Sequence, residues 1–512
     1  MSLWSECAFC GVNSSEISPC LPLNHSLSPQ FILPLQVFLW PAMPGVHTFE
    51  SGSLALQGLG DLVGVTVDRV NFVTCMFLSI PFAVIYNRYL GEASVQTRKI
   101  YPLVIGLAYC WFCFGEATKH LLANTLTCYA LMHISPAQYI HKIVFIFSMS
   151  YLTWVHFYRW IYVDFFSIDL TGPFMISVQR MTTLAFSLHD GRVKKEEELS
   201  PLQKREAIRK VPDILSYLSY LFHFQAVLTG PLSYYSDYMN LVNKTHVAID
   251  SKGNKPDPTS CAWPKIYMSI VFLAITALIE PKFPIADLER TDLPVWQWVV
   301  LFQFTIALQR PQYYFAWYLA DGIYNLSGFG FNGFDDKGEA KWDLATNVYA
   351  YKFEMAQSFK ESLDAWNVGT MGWLRRVAFD RAPKKYRTVC TYLLSAWWHG
   401  IFMGYYLTFL TGAMLTLGGK GFRRSLRWRF LSSPSLKSFY DVVTFIGTKF
   451  CFCYMTYPFA RMHWGPGIAF YKRMYFSGHI LAIFCAAILP LVLPPPKQEK
   501  NDEKSTSDEK IE

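Results

Sequence analysis

Long apolar runs recur along almost the whole of the 512-residue chain, separated by polar loops. The runs over 71–90, 101–131 and 139–163 are long enough to cross a bilayer, which takes ~20 apolar residues in a helix. Inside a bilayer the backbone must satisfy its own hydrogen bonds, and a run of this kind does so as an α-helix. Roughly ten or eleven membrane elements can be counted in this way. The sequence therefore predicts an all-α polytopic membrane protein.

Composition favours a single membrane domain. Hydrophobic residues make up 52% of the chain and charged residues 16%, against ~25% charged residues in soluble domains. The net charge of +8 lies mostly in the loops, which indicates contact with membrane surfaces and anionic ligands and no nucleic-acid partner. We expect a segment of undefined role over 1–50, a membrane domain over 51–495 and a charged, disordered tail over 496–512.

The run over 388–414 contains no Asp, Glu, Lys or Arg, and it reads as one membrane helix with His399 near its middle. An ionisable side chain at membrane depth is costly and by default indicates a functional site. Basic segments flank the run at 375–387 and at 420–429, so the positive-inside rule does not orient it. Either the run re-enters the membrane, or one basic segment faces the opposite side.

Two interpretations of His399 are open. A histidine in an apolar interior can be structural and donate to a carbonyl of a neighbouring helix. Alternatively it is a general base, because burial disfavours the imidazolium ion and keeps the ring neutral. Gly400 and Gly404 favour the second interpretation, since two glycines one helical turn apart let another backbone or a ligand approach closely.

Asn367 and the arginines after it are further candidates. An asparagine amide can hold a substrate carbonyl or a developing oxyanion without titrating; the alternative is a helix cap. In the basic segment that follows, Arg375, Arg376 and Arg381 are candidates for binding the phosphates of a charged cosubstrate. Contact with anionic lipid headgroups is the alternative for these three.

Two other motifs predict no site. The glycines at 328–333 match GxGxxG, but a dinucleotide-binding turn needs a preceding strand and a following helix, and here an apolar run precedes and a turn follows. The CxxC pairs at 7–10 and 110–113 lack a second pair at zinc spacing, so no metal site is expected.

Several of these residues stand in motifs of a known family. Trp-Asn-x-x-Thr at 366–370, a basic segment, and Trp-His-Gly at 398–400 inside an apolar run resemble the membrane-bound O-acyltransferase (MBOAT) family. Other stretches within 60–495 resemble its lysophospholipid acyltransferase branch, nearest the lysophosphatidylethanolamine and lysophosphatidylserine enzymes. They are HDG at 189–191, YLSYLFHFQAVLTGP at 217–231, YYFAWYLADGIYNLSGFGFNG at 313–333, KWD at 341–343 and YYLTFLTG at 405–412.

The resemblance implies a multi-pass enzyme of the endoplasmic reticulum, with about eleven transmembrane helices around an internal tunnel. Acyl-CoA would be the cosubstrate, with no metal and no permanently bound cofactor. An acyl chain, expected to be unsaturated, would pass to the free hydroxyl of a lysophospholipid. By position, His399 would be the catalytic histidine and Asn367 its partner.

Alternative functions remain at this point. The same fold could acylate lysophosphatidylcholine, a protein or a sterol. A lipid transporter or scramblase, with His399 as a proton relay, would require paired membrane carboxylates and inverted repeats. Neither is evident in the sequence.

Overall fold

The structure is a computed structural model that describes residues 52–162, 168–245, 256–290 and 292–494. The predictions for 1–50 and for the tail over 496–512 lie outside these ranges. Within them the chain is helical, and its one β-bridge is an isolated contact between Phe334 and Ala340. The all-α prediction is therefore confirmed.

The helices are numbered here in chain order. Those of the first half are α1 (Gln57–Val63), α2 (Val67–Tyr89), α3 (Val95–Phe114), α4 (Thr118–Ile134), α5 (Ile140–Tyr162), α6 (Thr171–Val193), α7 (Pro201–Glu206), α8 (Ile214–Phe222), α9 (Tyr235–Asn243) and α10 (Thr259–Leu278). Those of the second half are α11 (Val295–Ala307), α12 (Pro311–Leu326), α13 (Ala350–Met355), α14 (Phe359–Asp364), α15 (Val368–Leu374), α16 (Arg387–His399), α17 (Met403–Phe430), α18 (Pro434–Arg461), α19 (Trp464–Arg473), α20 (Ser477–Ile483) and α21 (Leu489–Val492).

Three helical segments in the described ranges are long and apolar enough to cross a membrane unaided: Val67–Tyr89, Val95–Ile134 and Thr259–Lys282. A fourth would be Trp464–Arg473 together with Ser477–Val492, which are bent by 74° at their junction. The remaining helices are shorter, bent or more polar. The total of about eleven transmembrane helices stays a prediction.

Close backbone contacts hold the helices together. A Cβ atom on Gly106 of α3 would overlap the carbonyl oxygen of Phe222 at the end of α8. A Cβ on Gly404 of α17 would overlap the Pro458 carbonyl of α18. Packing of helix on helix through small residues is typical of membrane bundles, where lipid supplies no hydrophobic drive for helices to associate. For Gly404, the predicted close approach is confirmed.

The GxGxxG segment does not form a nucleotide-binding turn. It follows α12, and no strand precedes it in the part of the chain that the structure describes. Gly328 and Gly333 have φ angles of 81° and 79°, a left-handed conformation that glycine adopts without strain. A Cβ on Gly330 would overlap the side chain of Asn325. The glycines thus serve a compact turn.

Helices α16 and α17 form an antiparallel hairpin whose tip is at 400–402. Near the open end the hydroxyls of Tyr392 and Thr416 are 2.7 Å apart. Near the tip the rings of His399 and Phe409 stack, with centroids 5.1 Å apart. The basic segments on either side of the hairpin therefore lie at the same end of it.

This arrangement corrects the expectation of one continuous helix over 388–414 and supports the re-entrant alternative. Helix α16 has 13 residues, which gives a length of about 20 Å, shorter than the ~30 Å hydrocarbon core. His399 is its last residue. The imidazole therefore lies within the membrane at a helix end, not in the middle of a helix.

Candidate active site

A cavity of about 1460 Å³ runs along the hairpin. One face of α16 lines it from Thr388 at the open end, through Ser395, to His399 at the tip. The returning helix α17 lines it from Tyr405 to Arg423. Further parts of the wall come from residues of α5, α6, α12, α14, α15 and α18, among other helices. The cavity therefore connects the basic end of the hairpin with the imidazole at its tip.

The helix break exposes His399 to this cavity. Gly400 has a φ angle of 134°, which an L-residue rarely adopts, so the chain can leave the helix sharply only because this residue is glycine. A Cβ on Gly400 would lie 3.3 Å from the ring of His156. Irregular backbone at membrane depth is tolerated where it lines a cavity, and that is the case here.

Aromatic side chains enclose the imidazole. Its ring centroid lies 4.8 Å from that of Trp398, 5.1 Å from that of Phe459 and 5.7 Å from that of Tyr405. Its ring nitrogens form no hydrogen bond with another residue of the described ranges, although the ring is in contact with the cavity. The structural interpretation, a histidine that donates to a neighbouring carbonyl, is therefore not what the site shows.

Three side-chain hydrogen bonds fix the hairpin tip against α5 and α6. Trp397 Nε1 donates to Thr153 Oγ1 at 2.7 Å, and Trp398 Nε1 donates to the Met175 carbonyl at 3.1 Å. His156 Nε2 donates to the Trp398 carbonyl at 3.1 Å. That carbonyl belongs to the last turn of α16, where intrahelical donors are missing. The position of His399 is thus set by its neighbours.

Asn367 lines the same cavity as His399. It precedes α15 with a φ angle of 49°, a left-handed conformation in which asparagine is enriched. Asn367 occupies the N-cap position of α15, as the alternative predicted, but its side-chain amide makes no capping hydrogen bond. Asn347 Nδ2 donates to Asn367 Oδ1 at 3.2 Å. The amide nitrogen of Asn367 has no partner among the described residues and is available to a ligand.

Asn347 holds this turn in place, and no motif or pattern in the sequence marks it. Its side-chain oxygen accepts from Gly369 N at 2.9 Å, and its carbonyl accepts from Val368 N at 2.9 Å. Together with the Asn367 contact, one side chain and its carbonyl fix the first turn of α15. Such groups around a polar residue orient it for its ligand.

The three candidate arginines are in different environments. Arg375 is exposed and lines the cavity, 3.7 Å from Asp380. Arg376 is 3% exposed and is paired with Glu206 of α7, and its guanidinium donates to Ser187 Oγ at 3.0 Å. These contacts occupy Arg376 in joining the basic segment to α6 and α7.

Arg381 belongs to the same ion-pair cluster. It donates to both carboxylate oxygens of Asp190 at 3.0 and 3.1 Å and lies over the Phe186 ring at 4.5 Å. Neither Arg376 nor Arg381 is among the residues that line the cavity. Their geometry corrects the expectation that all three arginines face a common ligand: within the described residues, Arg375 does so.

Other cations join Arg375 at the open end of the cavity. Lys360 of α14 and Lys420 and Arg423 of α17 line it and are exposed. Lys420 and Arg423 have no carboxylate partner among the described residues. Along α17, Arg423 is 18 residues from Tyr405 at the tip, a distance of about 27 Å. The basic segment over 420–429 was recognised in the sequence, but not the face of it that meets the cavity.

Replacing Arg376 should destabilise the fold, because the buried Glu206 carboxylate would lose the buried cation that is paired with it. We expect Arg376→Ala to cost about 3–5 kcal/mol, measured as a lower thermal unfolding midpoint of the detergent-solubilised protein. Arg375→Ala is the matched control and should change stability by less than about 0.5 kcal/mol. Equal effects of the two substitutions would contradict the distinction drawn here.

Comparison with known proteins places this site in a family. Residues 155–457, which include Asn367 and His399, match the MBOAT family, described as the membrane-bound O-acyltransferase family. The chain is 36% identical over 461 residues to lysophospholipid acyltransferase 6 of Drosophila melanogaster, which covers 86% of this chain and 64% of that protein.

Two mammalian relatives match along most of their length. Membrane-bound glycerophospholipid O-acyltransferase 2 of Rattus norvegicus is 36% identical over 477 residues, which are 90% of this chain and 91% of the relative. Membrane-bound glycerophospholipid O-acyltransferase 1 of Homo sapiens is 38% identical over 466 residues, 86% of this chain and 93% of the relative. These matches favour acyl transfer over the transporter alternative. The chain belongs to the membrane-bound O-acyltransferase family and is an integral membrane acyltransferase.

Proposed function

We propose that this protein is an acyl-CoA-dependent lysophospholipid O-acyltransferase of the endoplasmic reticulum membrane. The observation that carries the proposal is the cavity that His399 and Asn367 both line, with exposed cations at its open end. The relatives support the class of acceptor, since they are named for lysophospholipid or glycerophospholipid acylation. Motifs of the sequence favour lysophosphatidylethanolamine and lysophosphatidylserine as acceptors over lysophosphatidylcholine.

His399 is the general base of the proposed reaction. Its unpaired ring nitrogen takes the proton of the acceptor hydroxyl as that oxygen attacks the thioester carbonyl carbon. The carbon–sulfur bond then breaks as the tetrahedral intermediate collapses, and the imidazolium returns its proton to the leaving CoA thiolate. The products are a phospholipid ester and CoA. The nucleophile belongs to the acceptor, so the chain supplies no serine or cysteine to the reaction.

Asn367 is the electrophilic partner in this proposal. Asn367 lines the cavity, Asn347 holds its Oδ1, and its Nδ2 has no partner among the described residues. A donor fixed in this way can hydrogen-bond the thioester carbonyl and the oxyanion that forms from it. Its contribution does not require reorganisation during the reaction, which is why such donors are effective in a dry site.

The open end of the cavity suits the nucleotide of acyl-CoA. Lys360, Arg375, Lys420 and Arg423 present positive charge there, and cations of this kind bind phosphate. The thiol of CoA lies at the far end of a long flexible arm from its phosphates. A separation of about 27 Å between Arg423 and Tyr405 provides room for that arm to reach His399 along the hairpin.

Replacing His399 should abolish acyl transfer and leave the fold intact. We expect His399→Ala to lower the rate by at least about 10²–10⁴-fold, the usual contribution of a general base. The measurement uses microsomes that express the full chain, with labelled oleoyl-CoA and a panel of lysophospholipids. The transfer rate of the wild-type protein with each lysophospholipid is the reference, and it also reports the headgroup preference. Transfer by His399→Ala at the wild-type rate would refute the mechanism.

Replacing Asn367 by glycine separates its amide from its backbone conformation. Glycine adopts the φ angle of 49° seen here without strain, so Asn367→Gly should retain the unfolding midpoint. If the amide stabilises the oxyanion, kcat should fall by about 10²–10³-fold. Asn367→Ala is the comparison, and it should lose stability as well as activity. Normal kcat in Asn367→Gly would exclude the role proposed for the amide.

The cations at the open end should govern the affinity for the donor. Arg375→Gln and Arg423→Gln are each expected to raise the KM for oleoyl-CoA by about 10-fold, the effect of losing one charge-assisted hydrogen bond. The KM for lysophospholipid should stay within about twofold of the wild-type value, because these residues lie far from His399. Equal rises in both constants would instead indicate contact with lipid headgroups.

A further inference from the structure

A second cationic site lies beyond the hairpin tip, on the side away from the open end of the cavity. Arg159 lines the cavity and is 9% exposed. On α5 it follows His156 by three residues, which places both on one face and about one turn apart. His156 in turn donates to the carbonyl of Trp398 at 3.1 Å. Arg159 therefore lies about one helical turn from His156, and His156 is the residue that contacts the active-site turn.

The guanidinium of Arg159 is held on one edge and open on the other. Nη1 donates to Thr171 Oγ1 at 2.8 Å and to Asp169 Oδ1 at 3.4 Å, and Nε lies 3.3 Å from Asp169 Oδ2. Thr171 also donates to Asp169. Nη2 donates to none of the residues in the described ranges. Thr171 lines the cavity beside Arg159, whereas Asp169 does not.

A second paired arginine of the cavity wall, Arg310, is engaged differently. Arg310 also lines the cavity, but Nε and Nη2 both bind the Glu354 carboxylate, at 2.7 and 2.9 Å. Tyr314 donates to the same carboxylate at 2.7 Å. A pair with both oxygens engaged in this way is a structural contact. Arg159 lines the cavity with the looser pair, and its Nη2 has no partner among the described residues.

The proposed acceptor needs a cation at this position. In a lysophospholipid, four covalent bonds separate the sn-2 oxygen from the phosphorus, so a hydroxyl that reaches His399 brings its phosphate close to the hairpin tip. An anion buried in a protein cavity away from water is costly without a partner. The cations of the open end are too far away, at about 27 Å along α17.

Helix α6 supports a location near the opposite membrane surface. It runs from Thr171, beside Arg159, to Asp190, which binds Arg381 of the basic segment. The 19 residues between these ends correspond to about 28 Å, close to the thickness of the hydrocarbon core. A phosphate bound at Arg159 would thus lie where the headgroup of a bilayer lipid is found, with its glycerol directed to His399.

We infer that Arg159, positioned by Thr171, binds the phosphate of the lysophospholipid acceptor and so selects acceptors that carry one. The inference rests on the proposed lysophospholipid activity. Asp169 balances the charge of Arg159 when the cavity holds no acceptor. Arg159 is a buried cation that has no role in acyl-CoA binding or in the chemistry at His399, and the acceptor site gives it one.

The test measures donor and acceptor affinities separately in the full-length protein in nanodiscs. Arg159→Gln should raise the KM for 1-oleoyl lysophosphatidylethanolamine by about 10- to 100-fold and leave the KM for oleoyl-CoA unchanged. The inhibition constant of 1-oleoylglycerol, which has the same chain and the sn-2 hydroxyl but a second hydroxyl in place of the phosphate ester, should also be unchanged. Arg159→Lys should recover part of the acceptor affinity, because it restores the charge.

Two further variants keep the result decisive. Thr171→Val removes the hydroxyl that accepts from Arg159 and should raise the acceptor KM by about 3- to 10-fold, even if Arg159→Gln does not fold. Arg375→Gln is the opposite control, since it should affect the donor KM alone. An unchanged acceptor KM in folded Arg159→Gln, or a rise in the oleoyl-CoA KM instead, would overturn the inference. Absence of lysophospholipid acylation by the wild type would overturn the proposed function as well.

Discussion

The break in the helix at Gly400 is the constraint on which the rest of the site depends. An unbroken helix would close its own hydrogen bonds and leave His399 against neighbouring helices. The φ angle of 134° at Gly400 ends α16 at the imidazole and turns the chain back along α17. Interrupted helices at membrane depth need a protein-lined space around them, and the cavity provides it. The Trp397, Trp398 and His156 contacts then fix the tip.

The hairpin also explains the charge pattern that the positive-inside rule could not resolve. Basic segments on both sides of an apolar run conflict with the positive-inside rule only if the run crosses the membrane once. Because α16 and α17 are antiparallel, both segments lie at one end of the cavity, where Arg375 and Arg423 contribute to its wall. The long apolar composition of the run thus reflects depth of insertion and not a full crossing.

The helical fold could be predicted from composition, because membrane burial is visible in long apolar runs. His399 and Asn367 could be proposed as site residues from their polar character in an apolar context and from the family motifs around them. Sequence reasoning could not identify Asn347 or Arg159, whose roles come from contacts between distant parts of the chain. It also could not separate Arg375 from Arg376, because adjacent residues on a helix point in different directions. Exposure distinguishes the two arginines: Arg376 is 3% exposed and paired, whereas Arg375 lines the cavity.

The fixed length of α17 has a consequence for the choice of acyl carrier. Lys420, Arg423 and the imidazole belong to one helical hairpin, so the length of α17 sets their separation whatever the donor. A thioester carried on a shorter arm can fill one of these positions but not both, whatever its acyl chain. Selection of the thiol carrier by the length of its arm would therefore be independent of selection of the fatty acid. It would let the protein accept different acyl chains while still rejecting thioesters of smaller thiols.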